Sequence, residues 1–192
     1  MKFDPEIHQR RSIRLASYDY SSIGFYFVTI CIQNRKCLLG KIVDSEVVLN
    51  DAGWMVDHWW CELTNKFSTV GLDHYVIMPN HLHGILILQS PVGADQCVCP
   101  DPDLSEYPGG HTDLPLPKMI QWFKTMPTNA YIRGVNNNCW PPFPGKLWQR
   151  NYYERIIRNE GELHNTRQYI RDNPMQWVSN KENPANHQNH VP

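Results

Sequence analysis

Apolar positions along the 192-residue chain fall into short runs of two different periods, and the switches between them mark out the elements. Residues 24–33 form an aromatic and β-branched run, Gly-Phe-Tyr-Phe-Val-Thr-Ile-Cys-Ile-Gln, which predicts a strand. A short strand is predicted over 46–49. A helix follows over 52–64, with Asp51 as its N-cap and Ala52, Met55, Val56, Trp59 and Leu63 as its inward stripe. Two more strands, 72–78 and 81–89, flank the breaker pair Pro79-Asn80. The next helix begins at 116, with Pro117 in its first turn and Ile120 and Phe123 inward. Pro127 should kink or end it, leaving 128–133 as a separate turn. The last helix is the best delimited. Asn159 can cap it, Glu162 stands at the capping-box position, and Pro174 disfavours helical geometry at Asn173, so it should span 160–172. Helices interrupting a few antiparallel strands predict an α+β fold: a ferredoxin-like or RRM-like antiparallel sheet with helices on one face.

The segments between these elements suggest one domain, 21–178, with appendages. Residues 1–20 read as a basic arm, 179–192 as a polar tail, and 91–114 as a mobile insertion too long and too polar for an ordinary connection. Six cysteines without a C-x-x-C pair or a recognisable leader are expected to be reduced thiols of a cytoplasmic protein. No apolar run approaches the roughly 20 residues that cross a bilayer, so no membrane partner is expected.

Net charge is −1 and the isoelectric point about 6.7, which does not by itself point to nucleic acid. The imbalance is local, however. Residues 91–113 contain Asp95, Asp101, Asp103, Glu106 and Asp113 and no Lys or Arg; without those five, fourteen acids face eighteen Lys and Arg, a net +4. Arg10, Arg11, Arg14, Lys124, Arg150, Arg155 and Arg158 are the candidate phosphate contacts, with a solvated helix face as the competing reading for the C-terminal group.

The candidate chemistry starts at His81-Leu82-His83. Residues i and i+2 of a strand share a face, so both imidazoles can meet one divalent cation and leave coordination positions open for substrate. In the last helix Asn165, Tyr169 and Asn173 are spaced i, i+4, i+8 and share a face. If that face docks over the histidine strand, the site gains an oxygen ligand and a nucleophile.

With these motifs in order, the chain resembles the HUH single-tyrosine transposases that act on single-stranded DNA, and most closely the REP-associated tyrosine transposases of bacteria. The resemblance runs from the strand at 24–29 through Met78-Pro79-Asn80-His81-Leu82-His83 to Trp148-Gln149-Arg150 and Tyr169-Ile170-Arg171-Asp172-Asn173-Pro174. It implies that His81 and His83 bind Mg²⁺ or Mn²⁺, that Tyr169 is the nucleophile and that Asn173 is the third ligand, a position more often glutamine in the wider family. It further implies that the partner is single-stranded hairpin DNA, cut and rejoined through a 5′-phosphotyrosine by a monomer or homodimer. Two other readings compete. One is a metal-dependent phosphohydrolase without a covalent intermediate, although Ile85 stands where a histidine-triad hydrolase would carry its third histidine. The other is a non-catalytic nucleic-acid-binding regulator.

Overall fold

The aromatic, β-branched run forms β1 (Gly24–Cys31), which lies inside the sheet. The structure, a computed structural model, describes residues 22–90, 115–180 and 183–187. The expected basic arm with Arg10, Arg11 and Arg14, and the expected acidic insertion, lie outside the described residues.

β2 (Gly40–Val43) and β3 (Glu46–Leu49) form a separate two-stranded hairpin. Its turn residues Asp44 and Ser45 have φ of 50° and 66°, as a two-residue type I′ connection requires. α1 (Asp51–Lys66) starts one residue earlier than expected, because Asn50 and not Asp51 is the cap: its side-chain oxygen accepts from the Gly53 amide at 2.9 Å. β4 (Val70–Met78) and β5 (His81–Leu88) are antiparallel and joined by the expected Pro79-Asn80 turn, with Met78 opposite His81.

α2 (Leu116–Asn138) does not end at Pro127. That proline is buried in the same stripe as Met119, Ile120, Phe123, Tyr131 and Gly134, and packing of this stripe outweighs the roughly 3 kcal/mol a mid-helix proline costs. β6 (Tyr153–Ile157) was not expected from the sequence. α3 (Glu160–Asp172) falls where its caps predicted. Asn159 Oδ1 accepts from the Glu162 amide at 2.9 Å, while Glu162 Oε2 accepts from the Arg158 amide at 3.1 Å, one residue ahead of the position a capping box uses.

The main sheet has the order β4-β5-β1-β6, antiparallel throughout. Alternation along β1 separates two cores. Tyr26, Val28 and Ile30 face α1 and α2, where Trp60 and Phe123 meet edge-on, ring centroids 5.2 Å apart. Gly84 makes room for this packing, since a Cβ there would stand 2.4 Å from Cζ2 of Trp60. Phe27 faces the other way and joins Ile85, Ile157, Leu163 and Ile170 under α3. The expected α+β antiparallel sheet is present, but its helices do not all share one face: α1 and α2 cover one side, and α3 buries Leu163 and Ile170 on the other. Among the described residues no helix is long and apolar enough to cross a membrane.

Candidate metal and nucleophile site

His81 and His83 start β5 on the face that α3 covers, the same face as Phe27 and Ile85. Pairing with β1 sets Cys31 opposite His81 and Thr29 opposite His83. Both imidazoles are buried, and their Nε2 atoms lie 3.0 Å apart. Each outer nitrogen has its own partner: His81 Nδ1 is 2.8 Å from Asn80 Oδ1, and His83 Nδ1 is 2.7 Å from the Thr29 hydroxyl. Burial pushes His81 down to about 4, with a hydrogen bond to Asn173 opposing and the charge of Arg35 reinforcing the shift. Burial, and then the charge His81 would carry, hold His83 well below the ordinary histidine range. Both rings are therefore neutral at physiological pH, the form in which imidazole ligates metals.

The helical face read from the sequence does dock over this pair. The Tyr169 hydroxyl lies 3.3 Å from His83 Nε2, and its ring packs edge-on against both His83 and Phe27, at 5.2 and 6.0 Å between centroids. The tyrosine as a whole remains 43% exposed. Asn173, the first residue after α3, is buried beside His81, and its Nδ2 has no hydrogen-bond partner among the described residues. Its Oδ1 accepts a long, 3.4 Å contact from Asn180. Asn165 is exposed and takes no part in the cluster.

α3 is held in place by a charged tie to the sheet edge. Asp73 sits in the β4 bulge between Leu72 and Tyr75 and accepts from Arg167 Nε and Nη2, both at 2.8 Å. Burial raises the Asp73 pKa, but the hydrogen bonds from His74 and Arg167 outweigh it, so the group ends below the ordinary carboxylate range.

The residues present fit a divalent cation. Two neutral imidazole nitrogens converge, and a buried, under-bonded amide stands against them, a mixed nitrogen and oxygen donor set compatible with Mg²⁺ or Mn²⁺. Among the described residues no group of three or more His, Cys, Asp or Glu side chains is placed to hold a metal.

The remaining sequence candidates disperse. Lys124 is occupied structurally: its amine donates to the carbonyls of Gln149, Arg150 and Asn151 at 3.0, 3.4 and 3.2 Å and sits over the Tyr152 ring. Arg155 is on the site face of β6, opposite Phe27, and lies 3.5 Å from Glu162; Arg150 and Arg158 are exposed. Of the three aromatics near β6, Trp148 and Tyr152 are buried in the α1/α2 core, whereas Tyr153 is 53% exposed and touches Phe27 edge-on.

Sequence reasoning missed Thr29, Asn80 and Trp177. Trp177 is buried and stacks on His81 at 6.1 Å from beyond Pro174. The sequence marks Asn80 as a turn residue within the Met78–His83 motif and gives it no role at the site; its position next to a histidine is the available signal. Thr29 required the β1/β5 register, and no local signal provides that.

The chain shares its fold with a solved REP-associated tyrosine transposase bound to a REP hairpin, at a TM-score of 0.56 and 19% identity over 87% of this chain and 74% of that one. In sequence it is 38% identical over 177 residues to an uncharacterized protein of Haemophilus influenzae, covering 92% of this chain and 94% of the relative, and it belongs to the family of that protein. No family model matches the chain.

Proposed function

We propose that this protein is an HUH-type tyrosine transposase of the REP-associated branch, which cuts and rejoins single-stranded hairpin DNA. The observation that carries this reading is the approach of the Tyr169 hydroxyl to within 3.3 Å of a histidine pair whose inner nitrogens are 3.0 Å apart. A phosphodiester is protected from nucleophiles by its anionic oxygens. His81, His83 and Asn173 would hold a divalent cation, which would supply the charge that neutralises and polarises it.

The chain's own residues account for the rest. Phe27 and His83 fix the Tyr169 ring from two sides, so its oxygen is presented at the histidines with little freedom left to lose on reaction. In-line attack forms a bond from the tyrosine oxygen to phosphorus and breaks the bond to the 3′ oxygen. The phenol loses one proton and the departing oxygen gains one. The 5′-phosphotyrosine retains the energy of the original ester, so a second 3′ hydroxyl can reverse the step and rejoin the strand. Arg155 and Tyr153, exposed on the same face, would meet a phosphate and an unpaired base.

Incubation with labelled hairpin DNA and Mn²⁺, followed by a denaturing gel, tests the reading. A protein–DNA adduct that requires the cation is expected; cleavage that proceeds equally well in chelator would contradict it.

A further inference from the structure

The half-buried Lys124 spends its donors inside the protein. An ammonium carries three N–H groups and no acceptor, and the carbonyls of Gln149, Arg150 and Asn151 take them at 3.0, 3.4 and 3.2 Å. Three successive carbonyl dipoles aimed at one point repel one another unless a positive charge stands there, so the amine holds this turn in shape. The Tyr152 ring, its centroid 5.4 Å from the amine, adds a cation–π contact.

The turn lies at the histidine end of the sheet. The Gln149 amide donates to the Cys31 carbonyl at 2.9 Å, and Cys31 is paired with His81 across β1 and β5. Ile32 bridges Trp148, and the Gln33 amide donates to the Leu147 carbonyl at 2.8 Å, so the loop 33–36 runs beside 146–149. That loop is fixed as well. Asn34 and Arg35 take left-handed backbone angles, φ 56° and 53°, uncommon outside glycine, and the buried Asn80 side chain donates to the Arg35 carbonyl at 2.9 Å.

Charge follows the same two loops. Residues 31–43 and 134–153 hold Arg35, Lys36, Lys41, Lys146 and Arg150 and no Asp or Glu. Lys36, Lys146 and Arg150 are exposed, and Tyr153, two residues beyond the turn, is an exposed ring. Fixed loops with exposed cations, no acid and an aromatic neighbour suit an unpaired polynucleotide. We propose that loops 33–36 and 146–151 form a cationic rim that grips the backbone of the single strand entering the site, with Lys36, Lys146 and Arg150 as phosphate contacts and Lys124 as the positioning residue that holds the turn of Arg150. This rests on the reading of the protein as one that binds hairpin DNA.

Fluorescence anisotropy in chelator, over a series of NaCl concentrations, tests the rim apart from the chemistry; the probe is a labelled hairpin with a single-stranded flank. Each phosphate contact on a single strand contributes about 0.7 to the slope of log affinity against log salt. The triple variant Lys36→Gln, Lys146→Gln, Arg150→Gln should therefore lose about 2 from that slope, and should bind a blunt hairpin like the wild type. Lys124→Met should lose as much as Arg150→Gln alone, about 0.7, and the double variant should fall no further, because both act through one turn. If Lys124→Met does not fold, Lys124→Gln, which donates to at most two carbonyls, carries the same comparison. A triple variant with the wild-type slope, or one equally weakened on the blunt hairpin, overturns the rim. Additive losses from Lys124 and Arg150 overturn the positioning role. A wild type that does not bind hairpin DNA overturns the functional reading itself.

Discussion

Tyr169 has two neighbours in sequence class, Tyr152 and Tyr153, and geometry separates them. Tyr152 is buried in the opposite core, and Tyr153 touches Phe27 on the β6 side, whereas the Tyr169 hydroxyl reaches His83. Tyr169→Phe should therefore abolish cleavage while leaving hairpin affinity within about twofold, because one hydroxyl is lost among many phosphate contacts; activity assays beside filter binding check both halves. His81→Ala and His83→Ala should each remove most activity, and chelation should reproduce the effect in the wild type; a variant retaining wild-type cleavage rates would remove that histidine from the site. The histidine pair and Tyr169 were legible in the sequence because each rests on one local period, two for a strand and 3.6 for a helix. Asn80, Thr29 and Trp177 were not, because their roles depend on which strand lies beside which, in what register, and on the path of the chain after Pro174.

The elements were legible in proportion to the local chemistry at their ends. α3 was bounded by Asn159 and Pro174 and was placed to the residue, whereas β2 and β6 are only four and five residues long, too short to show a period, and only their sheet partners define them. α2 shows the opposite failure, a strong local signal at Pro127 overridden by a stripe buried on both sides of it. The sharpest prediction at this scale concerns Gly84. It lies between the two histidine-bearing positions and the centre of β5, yet its missing side chain serves the far face, where Trp60 rests on its backbone. Gly84→Ala should cost about 1–3 kcal/mol by overpacking Trp60, read as a lower urea midpoint. A variant as stable as the wild type would show that α1 shifts freely on the sheet.

At the scale of the whole molecule, burying neutral histidines couples folding to pH. An unfolded His81 titrates near 6.5 and the folded one at about 4, so between these values the unfolded chain binds more protons and stability falls as pH falls. The metal-free protein should lose about 3 kcal/mol from His81 across that window, and His83 shifts in the same direction. Asp73 acts lower: its stabilising contribution is complete above the usual aspartate value and disappears as pH falls through its depressed folded value. Urea titrations in chelator from pH 7.5 to 4.5 should show a falling midpoint, flattened in His81→Gln; a midpoint independent of pH would mean that the pair is hydrated in solution.

The central claim is that one named oxygen becomes bonded to DNA. Peptide mass mapping of the adduct formed with hairpin DNA and Mn²⁺ measures this directly. A nucleotide phosphate carried by the peptide containing Tyr169, and absent from the Tyr169→Phe variant, is the predicted result. A modified Tyr153, or cleaved DNA with no modified peptide at all, would contradict it.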